Sequence, residues 1–346
     1  MENMVQYGFS IFWYIVIVSA VGCYAMLDGF DLGVGVLHLF SKKDEERRVF
    51  LNAIGPVWDG NEVWLVVVVG ALFAGFPYAY ATLFSAFYIP LTLLIFGLIF
   101  RAVAIEFRSK RPMHWWRSTW DILFSAASLV IALAVGMALG NLAEGIPLNR
   151  DHEYVGGIIS TFLRPYPILV GFLTLSLFTM HGAIFLVMKT ENTLQEKLKN
   201  WIPPTMIYFI IIYVTTTMIT LIYQQHMAER IRQRPYLFLI ALANMLVIAN
   251  IPRCIHKARY GWAFISSCAN IALLVALFAV GTFPNVVRSS IDPIENSLTI
   301  VNSSAYLKTL IILTVIVAIG LPLVFAYSFY VYRLFHGKVK LDHMSY

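Results

Sequence analysis

Nine apolar stretches follow one another along the chain, near 10–38, 57–75, 79–102, 120–142, 166–188, 203–223, 236–252, 262–283 and 306–333. A helix rises ~1.5 Å per residue, and the hydrocarbon core of a bilayer is ~30 Å thick. Runs of this length predict membrane spans and not core helices. Charged residues make up 13% of the 346 positions, against roughly 25% in ordinary soluble domains. The expected fold is therefore all-α, a polytopic membrane protein of about nine transmembrane helices.

The basic residues are distributed so as to set an orientation. Segments 41–50, 101–118, 189–200, 253–260 and 333–346 hold 18 of the 25 Lys and Arg residues, and the alternate segments hold 7. The positive-inside rule places the first set in the cytoplasm. The N-terminus is then outside and the C-terminus cytoplasmic. The net charge of +6 belongs to these short loops and is no sign of a nucleic-acid partner. The start of the chain has neither a basic n-region nor a small-residue cleavage site, so the first span reads as a retained helix. Trp115 and Trp116, among the basic residues of 108–117, read as headgroup anchors. Pro90 and Pro322 predict local kinks. The outer segments 143–165 and 284–308 read as solvated loops or as a cover for a partner.

Against this apolar background four carboxylates stand out. Asp28 and Asp31 lie within the first stretch, and Asp59 and Glu62 open the second. An ionisable group inside a span is costly and marks a functional site by default. Each pair is spaced i,i+3, which puts its members on one helical face. The arrangement suits a proton or cation path, or a polar seam against a partner. Asp59 follows Pro56 and equally suits a helix N-terminal cap, where the dipole favours an acid. Glu62 lies deeper and is harder to explain as a cap. Trp58 and Trp64 flank the pair and read as interface packing. Gly29, Gly33, Gly136 and Gly140 have the small-xxx-small spacing that lets helices approach closely, within the chain or against another subunit.

Other chemistries find little support. There is no Walker, G-x-S-x-G or H-E-x-x-H motif. Cys23, Cys254 and Cys268 form no C-x-x-C pair, so neither a disulfide framework nor a c-type haem attachment is expected. His114, His152, His226, His256, His336 and His343 fall in loops or tails, and His38 ends a span. Only His181 lies deep in a stretch, and one histidine does not make a bis-His haem site. No metal site is expected. Ala25-Met-Leu-Asp-Gly29 can be laid over Phe178-Thr-Met-His-Gly182, which suggests two four-helix units (1–150 and 151–290) with the ninth helix and tail at 291–346. A secondary transporter coupled through the buried acids is the rival reading, and paired broken helices in the two halves would favour it.

Several motifs carry a family resemblance. They are Asp28-Gly-Phe-Asp-Leu-Gly-Val-Gly35, Glu46-Arg-Arg48, Trp58-Asp-Gly-Asn61 with Val63-Trp64, Ala71-Leu-Phe-Ala74, Phe100-Arg101, Arg108-Ser-Lys110, Trp120-Asp121 and Gly140-Asn-Leu142. With these the sequence resembles subunit II of the cytochrome bd-type quinol oxidases, including the cyanide-insensitive branch. The similarity is dense over 10–150 and thins afterwards. The resemblance implies a bacterial inner-membrane complex that oxidises quinol and reduces oxygen to water, drawing its protons from the cytoplasm. It implies a haem-bearing subunit I with two haems b and one haem d. Subunit II itself is haem-free, with a structural quinone in some members, and a small single-span accessory subunit is left open. Carried over, Asp59 is the expected proton-route position, with Asp28 and Asp31 beside it, and Trp64 lies near the oxygen access route. Some members have His immediately before Trp-Asp-Gly, where this chain has Val57. The segment between spans six and seven is also short here.

Overall fold

The computed structural model describes residues 2–341, so His343 lies outside the described residues. The first half runs α1 (Glu2–His38), α2 (Asp44–Ile54), α3 (Trp58–Gly75), α4 (Pro77–Ala86), α5 (Tyr88–Phe107) and α6 (His114–Glu144). After a short α7 (Ile158–Phe162) come α8 (Pro165–Lys189), α9 (Asn192–Lys199), α10 (Ile202–Tyr223), α11 (His226–Gln233), α12 (Phe238–His256) and α13 (Tyr260–Thr282). A small antiparallel pair, β1 (Asn285–Val287) and β2 (Leu298–Thr299), precedes α14 (Leu307–Leu334). Among the described residues, eight helices are long and apolar enough to cross a membrane. A ninth span is reached by counting the bent pair α2 and α3, which meet at 50°.

Proline explains where several helices start and stop. Pro77, Pro165 and Pro203 sit in the first turns of α4, α8 and α10, where a missing N–H costs nothing. Pro90 breaks the third span. Its ring would collide with the carbonyl four residues back, that of Ala86, and α4 ends at that residue. By contrast α14 runs through Pro322 without interruption.

α8 is the most buried of the spans, and α14 the least. α8 packs between α1 and α6 and also touches α10 and α13. The order long helix, short helix plus span, short helix plus span, span occurs twice, in α1 to α6 and again in α8 to α13. The segment between spans six and seven supplies α11, which packs on α13.

The two outer segments fold on each other. Ile146 bridges to Ser289, and Leu148 to Tyr154. The buried Asn296 donates through Nδ2 to Leu148 O (3.0 Å) and Ile291 O (2.9 Å). Ile146, Leu148, Val287, Leu298 and Ile300 join Phe76 and Phe87 in one apolar cluster. Burial of these side chains closes that end of the first helices and outweighs the polar character of the segments.

A buried carboxylate and guanidinium cluster as the candidate functional site

The first element of the site is a stretch of α1. That helix is about 55 Å long, and Asp28 and Asp31 sit two to three turns from its C-terminal end, both fully buried. Asp28 is gripped bidentately by Arg101 of α5, whose Nη1 donates to Oδ2 at 2.9 Å and whose Nη2 donates to Oδ1. Arg101 is itself fully buried. Two charges of opposite sign at this depth are tolerable only as a hydrogen-bonded pair.

Asp31 has no such cation. Its Oδ2 accepts from Asn61 Nδ2 (2.7 Å), while Oδ1 is buried with no hydrogen-bond partner. Asn61 Nδ2 also donates to Leu27 O (3.2 Å), and Asn61 Oδ1 accepts from the Tyr332 hydroxyl of α14 (2.7 Å). Glu62, the next residue on α3, is partly exposed and lies 3.8 Å from Arg101 Nη2. Tyr24 OH is buried nearby with no hydrogen-bond partner. Three carboxyl groups therefore share the field of one guanidinium.

Asp59 stands apart from this interior. It is exposed, in the first turn of α3. Its N-cap reading is corrected: Val57 holds the cap position, no side chain caps the helix, and Pro56 lies in the preceding turn and not in the helix. Asp59 is one helical turn before Glu62, so the acids step from the surface of this chain towards the buried pair.

Trp58 is partly buried against the main core. Trp64 is buried with Ala20 and Tyr24 of α1, and its ring meets Phe325 of α14 at 5.6 Å. An apolar cavity of about 250 Å³ opens among α1, α3, α5, α6 and α13, lined among others by Val21, Tyr24, Leu65, Leu94 and Val135; Trp64 is not in its wall and reaches it only through its neighbours Tyr24 and Leu65. The four singled-out glycines all face α8. A Cβ on Gly33 would sit 1.9 Å from Phe178 O, and one on Gly29 2.8 Å from the Phe178 ring. On the other side, Gly136 would meet Val170 O at 2.7 Å, and Gly140 would meet Pro167 Cα at 2.6 Å.

His181 offers no open nitrogen to a haem iron. Nδ1 is 2.8 Å from Ser267 Oγ, Nε2 is 3.0 Å from Met26 O, and the ring stacks on Phe264. The residue does not fit an axial ligand. No group of three or more metal-ligating side chains occurs among the described residues.

The residue that sequence reasoning missed is Arg101. It was counted among loop charges, whereas α5 continues to Phe107 and carries it inside the fold. The signal was its position at the end of an apolar run. Arg108 was misplaced in the same way. It is buried, and it donates to Asp121 through Nε (2.5 Å) and Nη2 (3.2 Å) and to Asp44 through Nη2 (2.7 Å). Asp121 also meets Arg47 Nη1 (2.9 Å) and His38 Nε2 (2.5 Å). This second cluster clasps α1, α2 and α6 at the end where the basic loops gather.

With that geometry in place, comparison with known proteins gives one answer. The family described as "Cytochrome bd terminal oxidase subunit II" matches residues 9–335. The chain belongs to that family. A "Cytochrome bd-I ubiquinol oxidase subunit 2" of Escherichia coli K12 is 30% identical, over 96% of this chain and 95% of that protein. A "Cytochrome bd ubiquinol oxidase subunit 2" of Bacillus subtilis is 32% identical, over 95% and 96%. A "Probable cytochrome oxidase subunit 2" of Haemophilus influenzae is 33% identical, over 98% and 97%. The fold matches a chain of the bd oxidase structure from Geobacillus thermodenitrificans with a TM-score of 0.78 at 16% identity, covering 95% of this chain and 98% of that one. As a subunit II of a cytochrome bd terminal oxidase, the chain is a multi-span membrane component of an oxidoreductase complex. The helix breaks recur in both halves, and it is the family match, not their absence, that sets the transporter alternative aside.

Proposed function

We propose that this chain is the haem-free second subunit of a quinol:oxygen oxidoreductase, and that it supports assembly of a haem-bearing subunit I. In this reading two haems b and one haem d sit in that partner, quinol is the reductant, and the N-terminus is outside. The subunit lies in a bacterial cytoplasmic membrane. Its proton work runs along Asp59, Glu62 and the buried Asp28 and Asp31, starting from the cytoplasmic side. The observation that carries this is the stepping of carboxyl groups from exposed Asp59 to sealed Asp31, beside a guanidinium that compensates only part of their charge. Such a series can take up a proton at the surface and hold it inside, because each group exchanges protons with its neighbour or with water.

Oxygen is small and apolar, and the apolar cavity lined by Tyr24, Leu65 and Val135, which Trp64 backs through Tyr24, suits its passage. The twofold recurrence of element order supports reading 1–150 and 151–290 as two four-helix units with the ninth helix added.

The test is made on the purified complex. A reduced-minus-oxidised spectrum should show haem b and haem d bands, with a large second membrane subunit on a gel. Asp59→Asn should slow oxygen consumption while haem content stays at the parent level. Unimpaired turnover in that assembled variant removes Asp59 from the route, and a colourless chain without a partner removes the oxidase reading.

A further inference from the structure

The last span is the least buried in the chain, yet its far end reaches the partners of a fully buried carboxylate. We infer that Tyr332 of α14 is a positioning residue that sets, through Asn61, which protonation form of Asp31 the site favours. The inference rests on the proton-route reading above.

The hydrogen bonds around Asn61 define one amide orientation. Nδ2 donates to Asp31 Oδ2 and Leu27 O, two acceptors, while Oδ1 receives the Tyr332 hydroxyl. Asn61 is buried, so each of its polar atoms needs a partner. In this orientation Asn61 acts on Asp31 as a donor, and a donor favours the ionised carboxylate. The opposite orientation would turn Oδ1 towards Asp31, where it could accept from a protonated carboxyl, at the expense of the Leu27 contact. Tyr332 works against that turn by occupying Oδ1. Its phenol therefore biases Asp31 towards the ionised form, through the Oδ2 that Asn61 holds.

The groups facing Asp31 come from several elements. They are Asp28 on α1, Glu62 on α3, Arg101 on α5 and Tyr332 on α14, with Tyr24 of α1 facing Asp28 and Cys268 of α13 close to Tyr332. Tyr332 is the one that α14 contributes, and α14 is also held at its other end. There Trp13 Nε1 donates to Leu310 O (3.2 Å) and Thr314 Oγ1 (3.1 Å). A span fixed at both ends gives the phenol a constant place.

The experiment uses the assembled oxidase with Tyr332→Phe, Asn61→Leu, the double variant, and Asp31→Asn as reference. Haem content reports assembly, and oxygen uptake with a soluble quinol is followed across pH. Tyr332→Phe keeps the ring and loses the donor, so the favoured form of Asp31 shifts towards the protonated one. The expected result is full haem content with the pH profile displaced upward by about one unit, the scale of one hydrogen bond to a charged group. The double variant should add nothing to Asn61→Leu. A parent profile for Tyr332→Phe, with Asp31→Asn slowed, overturns the inference and leaves the proton route standing. Additive displacements overturn it as well, since Tyr332 would then act without Asn61. Parent-like turnover in Asp31→Asn overturns both. Should Tyr332→Phe fail to assemble, Tyr332→Met, which also removes the hydroxyl, decides: an upward displacement supports the inference and an unchanged profile ends it.

Discussion

Removing Arg101 should be among the most damaging single changes in this chain, and removing its partner as well should repair much of the damage. Arg101→Met keeps an unbranched side chain of similar reach and deletes the guanidinium. Asp28 is then left fully buried beside Asp31 and Glu62, without the cation that now holds it. Breaking a buried pair by removing one partner costs about 3–5 kcal/mol, roughly two to three and a half powers of ten in the folded-to-unfolded ratio. Replacing both partners by apolar groups is often close to neutral, because the desolvation of both charges disappears with their attraction. Asp28→Leu with Arg101→Met should therefore be less stable than the parent by far less than the sum of the two single changes. The coupling recovered should be on the order of 3 kcal/mol, at the upper end for contacting residues. Membrane complexes unfold irreversibly, so the readout is the half-life of haem absorbance at a fixed temperature in detergent. Single variants with parent half-lives, or a double variant no better than the worse single one, would refute the claim that the pair is held by mutual compensation. Oxygen uptake need not recover with stability, since the double variant also lacks an acid of the proposed route.

Three further outcomes are expected. Asp121→Asn removes the negative charge shared by Arg108, Arg47 and His38 and puts an amide donor where one acceptor oxygen stood, and about 3–5 kcal/mol of stability should go with it; haem retention on heating checks this. Asn296→Ala empties two acceptors in the outer cover, at about 1–3 kcal/mol, and limited proteolysis should cut within 143–165 sooner than in the parent. Gly33→Ala places a methyl group against the Phe178 carbonyl and should prevent assembly, while Gly8→Ala, with open space around it, should match the parent in purified yield.

The spans were legible because lipid imposes a length requirement that soluble packing does not, and hydropathy alone met it. The ends were less so. α5 continues five residues past the apolar run that announced it, and those residues change Arg101 from a loop charge into half of the buried pair. A charge ends a hydropathy window whether it is solvated or paired, so the distinction needed the position of Asp28 in space. Asp59 misled in the opposite sense. Pro56 suggested a helix start at the wrong residue, and the acid that drew attention is the exposed one. The outer cover was illegible for a different reason. Ile146 and Leu148 pair with Ser289 and Tyr154 through isolated bridges, and the strands β1 and β2 are two or three residues long, too short for any period to show. Tyr332 was hidden by distance, since nothing local to α14 tells that its ring faces an asparagine some 270 positions earlier.

The helix crossing explains why the site needs so particular a set of partners. Gly33 lies two residues past Asp31, where α1 meets α8 backbone to backbone at Gly182. A Cβ on either glycine would fall within 2.7 Å of the other helix's main chain, so α1 cannot roll about its axis without separating the pair. Asp28 and Asp31 are therefore unable to turn towards water when they carry charge. Relief has to come to them, from Arg101 on α5, Asn61 on α3 and Tyr332 on α14. Of these helices, α5 and α14 are less buried in this chain than α8. The carboxylates thus sit beside the close-packed crossing, and their compensating partners reach them from three other helices. A proton taken up at Asp59 on the proposed route would meet Asn61 and Glu62 of α3 before either buried acid.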